Sequence, residues 1–155
     1  MSQSNQSKTY QYQFPRPGVT VDTVVFDLYD EDRIPKVLLI KRKNEPFKGM
    51  WAIPGGFLEI EEELEVGAAR ELYEEAGLDI PSDQLQQVVT VGRRNRDPRD
   101  RIISVVYTAV IDRYEYTEVC AGDDAEDARW FQVTELPELA ADHLEIVRKA
   151  LGVVV

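Results

Sequence analysis

Glu71, Glu74 and Glu75 stand within five residues of one another in the stretch GFLEIEEELEVGAARELYEEAGL, which runs from Gly56 to Leu78. At about 100° per residue, a helix here places Glu71 and Glu75 one turn apart with Glu74 beside them, and so presents three carboxylates together. Such a cluster repels itself, and a helix that serves only structure relieves the repulsion with Lys or Arg at i+4. Arg70 is the one basic residue at hand. Hard divalent cations that prefer oxygen ligands, Mg2+ or Mn2+, answer the same need and explain why all three residues are carboxylates. A metal ion held this way can acidify a bound water. Glu61, Glu63 and Glu65 read instead as a solvated acidic run whose charge suits a helix start.

Two neighbouring stretches carry further chemistry. Gly55 and Gly56 form a double glycine, which permits positive φ and a close backbone approach, so a carbonyl or amide there can face a ligand. Gly92 to Arg101 reads GRRNRDPRDR and holds Arg93, Arg94, Arg96, Arg99 and Arg101 in an otherwise acidic chain. One arginine in a hairpin loop is ordinarily solvated. Five in ten residues favour an anion site, because guanidinium groups pair bidentately with phosphate oxygens. Trp51 can stack on a base or lead the chain into the core. Cys120, the only cysteine, reads as a small buried hydrophobe, and His143, the only histidine, cannot build a His-based zinc site alone.

The elements that must position these groups follow from periodicity. Val19 to Tyr29 is a β-branched run that predicts a strand, and Lys36 to Ile40 predicts its hairpin partner across a polar turn. Trp51 to Pro54 is a short extended piece entering the double glycine. Glu63 to Ala76, rich in Glu, Leu and Ala, predicts a helix stopped by a left-handed cap at Gly77. Gly67 inside it is unfavourable for a helix and leaves room for a ligand over that face, or reflects a tolerant surface position. Gln84 to Val91 and Ile102 to Ile111 predict two more strands flanking the arginine loop, Asp127 to Val133 a last strand, and Leu136 to Leu151 a C-terminal helix. Strands interleaved with helices in this order give an α/β protein with a mixed sheet between helices.

A chain of 155 residues with 43% hydrophobic content supports one domain, expected over residues 10–155 after a disordered tail at 1–9. The formal charge of −11 disfavours nucleic acid and anionic membranes as partners. An anionic small molecule would depend on metal ions and a local basic patch to overcome that field. A single cysteine precludes an intrachain disulfide, and no signal peptide or 18-residue apolar span is evident, so a soluble cytoplasmic protein is expected.

Gly56, Glu62, Arg70, Glu71, Leu72, Glu74, Glu75, Gly77 and Leu78 reproduce a spaced pattern: Gly, five residues, Glu, seven residues, then Arg-Glu-apolar-x-Glu-Glu-x-Gly-apolar. The pattern resembles the Nudix box without a departure. The resemblance implies a Nudix α/β/α sandwich and Mg2+- or Mn2+-dependent hydrolysis of a nucleoside diphosphate linked to another moiety. The segment from Arg94 to Tyr107, with RDPR followed by RIISVVY, looks like the ADP-ribose pyrophosphatase branch, as does AGDDAEDARWF followed by ADHLEI. That implies conversion of ADP-ribose to AMP and ribose 5-phosphate, within NAD turnover.

By position, the resemblance makes Glu71, Glu74, Glu75 and the Gly55 carbonyl metal ligands, with Glu62 and Glu59 supporting them. Arg70 is read as orienting a box carboxylate, while Arg94, Arg99 and Arg101 of the arginine loop, with Trp51 as a base-stacking surface, are the candidate substrate contacts. The general base stays open among Glu75, Glu126, Asp123 and Asp124. Relatives often carry a bulky aromatic before the Asp-His pair where this chain has Ala141, so His143 is expected to cap or pack rather than touch substrate. Many relatives are homodimers, so the resemblance allows a homodimer, while the sequence itself leaves the oligomeric state open.

Two rival readings share the box. One is removal of oxidised nucleoside triphosphates. The other is a non-catalytic ADP-ribose-sensing module, which in some relatives is joined to a winged helix. An intact box, the absence of a basic footprint and a chain ending at Val155 disfavour the sensing module.

Overall fold

The computed structural model describes residues 9–116, 119–122 and 125–155. The tail expected at 1–9 therefore falls almost wholly outside the described residues, as do Asp123 and Asp124. The elements run β1 (Gly18–Asp27), β2 (Lys36–Arg42), β3 (Trp51–Ala52), β4 (Gly55–Phe57), α1 (Leu64–Ala76), β5 (Gln86–Val91), β6 (Ile102–Val110), β7 (Ala125–Gln132) and α2 (His143–Val154). One mixed sheet is ordered β3-β2-β1-β6-β5, with β4 added to β1 and β7 to β2. The α/β class and the mixed sheet are as the sequence predicts.

The run VTVDTVVF is buried on both faces because β1 is central: its residues from Thr20 to Asp27 are all buried. Its main partner is β6, parallel from Gly18 opposite Ile102 to Phe26 opposite Val110. The expected β1–β2 hairpin exists but pairs only at Phe26–Val37 and Asp27–Lys36. Nearer its start, the same edge of β1 takes β4, with Thr20, Val21 and Asp22 opposite Phe57, Gly56 and Gly55. The two partners of one edge separate between these contacts.

Alternation along β1 divides the core. Val21 and Val25 pack with Ala68, Leu72 and Ala76 of α1, whereas Val24 and Phe26 pack with Ile146, Val147 and Ala150 of α2. The C-terminus of α1 is closed as expected by Gly77, at φ 69°, whose N–H donates to the Tyr73 carbonyl.

Three expectations need correction. The C-terminal helix starts at His143 rather than near 136, because the preceding backbone pairs with Trp51. The Trp51 N–H donates to the Glu138 carbonyl, the Ala140 N–H donates to the Trp51 carbonyl, and Ala141 follows at φ 47°. Gly67 makes room for protein rather than ligand: a Cβ there would lie 2.7 Å from Glu62 Oε1 and 3.0 Å from Leu58 Cδ1. Cys120 is exposed, not buried. Its N–H is nonetheless bonded to the Ala76 carbonyl, which ties the loop before β7 to the end of α1.

Candidate active site

A cleft of about 430 Å3 opens where β1 exchanges one edge partner for the other; its walls include Asp22, Gly55, Gly56, Arg70, Glu71 and Glu75. The helix delivers Glu71 and Glu75 to it from the same face, one turn apart, and both are buried. The double glycine is what lets them approach. A Cβ on Gly56 would lie 2.5 Å from the Glu71 carboxylate, and one on Gly55 would lie 1.9 Å from Asp22 Oδ1. Successive residues of a strand face opposite ways, so the two missing side chains admit an acid on each side of the same backbone ribbon. The Gly55 N–H also donates to Glu75 Oε2 at 3.1 Å.

Arg70 gathers the other acids. Its Nε and Nη2 donate to Glu62 at 2.9 and 2.6 Å, and its Nη1 donates to Glu71 at 2.7 Å and to Glu74 at 3.1 Å. These bonds hold the Glu62 carboxyl below the ordinary carboxylate range. Glu74, paired in this way, has its side chain half exposed and is not part of the cleft wall. No group of three His, Cys, Asp or Glu side chains converges as a metal cage among the described residues. The donors that do meet are two buried carboxylates beside the Gly55 backbone. That oxygen set fits a hard divalent cation completed by waters and substrate phosphate oxygens.

A second polar group lines the cleft. The Thr20 hydroxyl donates to Asp22 Oδ2 at 3.0 Å and lies 2.5 Å from the Ser104 hydroxyl. Burial pushes the Asp22 carboxyl up to about 6; the Thr20 and Ser104 hydroxyls and Arg96 pull the other way, and Glu71 adds to the rise. Arg96 donates to Ser104 at 2.8 Å and grips Asp142 with two bonds of 2.8 Å. Burial acts to raise the Asp142 carboxyl, yet Arg96 outweighs it and holds it low. Beside Asp142, the ring of His143 lines the cleft and accepts the Ile53 N–H on Nδ1 at 3.0 Å. Burial pushes its pKa down to about 4, against the pull of Asp142.

The five arginines do not act as one patch. Arg96 and Arg99 line the cleft, but Arg99 is bonded to Asp97 at 3.0 and 2.7 Å. Arg94 is exposed and Arg101 donates to the Gly92 carbonyl, and neither is part of the wall. Trp51 also lies outside it, packed edge-on against Phe131 with ring centres 4.7 Å apart. Glu126 projects from β7 with its side chain 58% exposed, 3.9 Å from Lys41, and is likewise no part of the wall.

Asp22 and Ser104 carry no expectation from the sequence. A lone aspartate inside a β-branched run was the one available signal for the first. Arg96 was visible only as one of five, because its partner Asp142 is 46 residues away.

Residues 18–150 match the family model described as the NUDIX domain. Over 133 residues the chain is 43% identical to an ADP-ribose pyrophosphatase of Methanocaldococcus jannaschii, covering 85% of this chain and 72% of that protein. It is 35% identical to the ADPR responsive transcriptional repressor NtrR of Acinetobacter baylyi, covering 96% of this chain but only 60% of the repressor. The solved NUDIX domain of Shewanella oneidensis NrtR complexed with ADP ribose superposes with a TM-score of 0.83 at 31% identity, over the full length of both chains.

Proposed function

The chain belongs to the Nudix family, and from that premise we propose that it hydrolyses the diphosphate bond of ADP-ribose, with water, to AMP and ribose 5-phosphate. The observation that carries this is the buried Glu71–Glu75 pair, held against the double glycine at the base of the cleft. Glu71, Glu75 and the Gly55 carbonyl are the proposed ligands of a divalent cation, with Mg2+ the proposed ion; Glu74 would join them by leaving Arg70. When bound, such an ion neutralises the diphosphate oxygens and acidifies water. Arg70 keeps Glu62 and Glu71 in place, Gly55 keeps Glu75 in place, and Arg99 offers a cation at the cleft wall for the anionic substrate. We place the general base on Glu75, which stands in the cleft wall where Glu126 does not.

Among the described residues no helix is long and apolar enough to cross a membrane. A cytoplasmic homodimer is the proposed working form, with a nucleotide rather than nucleic acid or a membrane as partner. One other reading has a specific observation in its favour. The similarity to NtrR supports ADP-ribose sensing without turnover, which predicts binding but no products.

Rates on ADP-ribose, other ADP-sugars and oxidised deoxynucleoside triphosphates, measured with Mg2+, separate the readings. ADP-ribose should be the preferred compound, and Glu75→Gln should lower its kcat roughly a thousandfold while the protein stays folded. Tight ADP-ribose binding without release of AMP would favour the sensor, and near-normal turnover by the variant would remove Glu75 from the mechanism.

A further inference from the structure

The imidazole of His143 is anchored at one nitrogen and open at the other. A backbone N–H can only donate, so Nδ1, which receives the Ile53 N–H at 3.0 Å, must carry the lone pair, and the proton of the ring resides on Nε2. Nε2 has no protein partner among the described residues, on a ring that forms part of the cleft wall. Asp142, the preceding residue, is clamped by Arg96, which is bonded in turn to Ser104 of β6. The start of α2 is thereby fixed to the sheet.

The anchor also relates the ring to the glutamates. Ile53 holds His143 by its amide, and two residues on, Gly55 holds Glu75 by its amide. Two residues of chain span at most about 7 Å. One short piece of backbone therefore sets the spacing between the imidazole and the carboxylate.

We propose that His143 is a substrate-binding residue whose Nε2–H donates an uncharged hydrogen bond to a non-bridging oxygen of the substrate diphosphate held beside Glu71 and Glu75. The assignment rests on the function proposed above. It revises the capping or packing role expected for His143, because the ring lines the cleft and the Ile53 contact occupies Nδ1 alone.

His143→Asn is the direct test, because the amide oxygen of Asn can accept the Ile53 N–H while the distal donor is lost. KM for ADP-ribose should rise about tenfold with kcat within about threefold, and His143→Gln, which returns a distal N–H, should recover part of the loss. An Asn variant with KM within about twofold of the parent, or with kcat reduced and KM unchanged, would overturn the proposal. Nitrogen-15 NMR of the parent protein gives an answer that does not depend on variants folding. Adding inorganic pyrophosphate with Mg2+ should shift Nε2 and leave Nδ1 as the acceptor. A shift with ADP-ribose but none with pyrophosphate would assign the bond to the sugar and refute the diphosphate contact. Absence of turnover in the parent would instead count against the proposed reaction, and the pyrophosphate titration would still decide the role of His143.

Discussion

At the residue scale, the acids of the cleft are distinguished by what holds each of them. Arg70 reaches Glu62, Glu71 and Glu74 at once, which supports the positioning role proposed for it. Arg70→Ala should weaken Mn2+ binding, read by calorimetry without substrate, by about 10- to 100-fold; unchanged affinity would show the clamp to be ornamental to the metal site. Asp22 and His143 make opposing predictions about pH in metal-free protein. The Asp22 carboxyl is raised to about 6, so its contribution to stability is complete below its unfolded value of 3.8 and is lost as pH rises through 6. His143 is lowered to about 4, so its contribution is complete above 6.5 and is lost as pH falls through 4. The two slopes offset each other between about pH 4 and 6. Asp22→Asn should therefore make denaturant stability fall more steeply than in the parent as pH drops across that window, and parallel curves would contradict the assignment. The glutamates were legible because their spacing along one helix is local. Asp22, Arg96 and His143 owe their positions to partners far along the chain, which periodicity cannot register.

At the element scale, α1 and the double glycine work as a pair: the helix offers carboxylates on one face, and the ribbon beside it lacks the side chains that would block them. Gly56→Ala should therefore abolish most activity, because its Cβ would meet the Glu71 carboxylate at 2.5 Å. Gly152→Ala is the matched control. A Cβ there meets nothing within 4 Å, on the last turn of α2, so a gain of about 0.5–1 kcal/mol in stability with unchanged kcat/KM is expected. Equal loss of activity in both, measured with their melting temperatures, would show that the glycines are not specific to the site. Helix α1 was readable to within a residue because its composition and its Gly77 cap are local signals. The start of α2 was not, since backbone pairing of 138–140 with Trp51 overrides a helical spacing of Leu and Ile.

At the scale of the molecule, β1 is the feature on which the site depends. Its two faces separate the core under α1 from the core under α2, and its single free edge is divided between β4 and β2. The carboxylates of α1 and the polar groups at the start of α2 meet at that division. A mixed sheet could be inferred from the order of elements. The parallel β1–β6 register that brings Ser104 beside Thr20 could not, because no local pattern encodes a pairing between residues 84 apart. The central claim is that this junction holds a divalent cation against a diphosphate. Crystals grown with Mn2+ and a non-cleavable methylene analogue of ADP-ribose, measured for anomalous scattering, test it most directly. A peak bonded to Glu71 and Glu75 and to the analogue's phosphonate oxygens is expected; ordered analogue in the cleft with both carboxylates free of metal would overturn the proposed metal site.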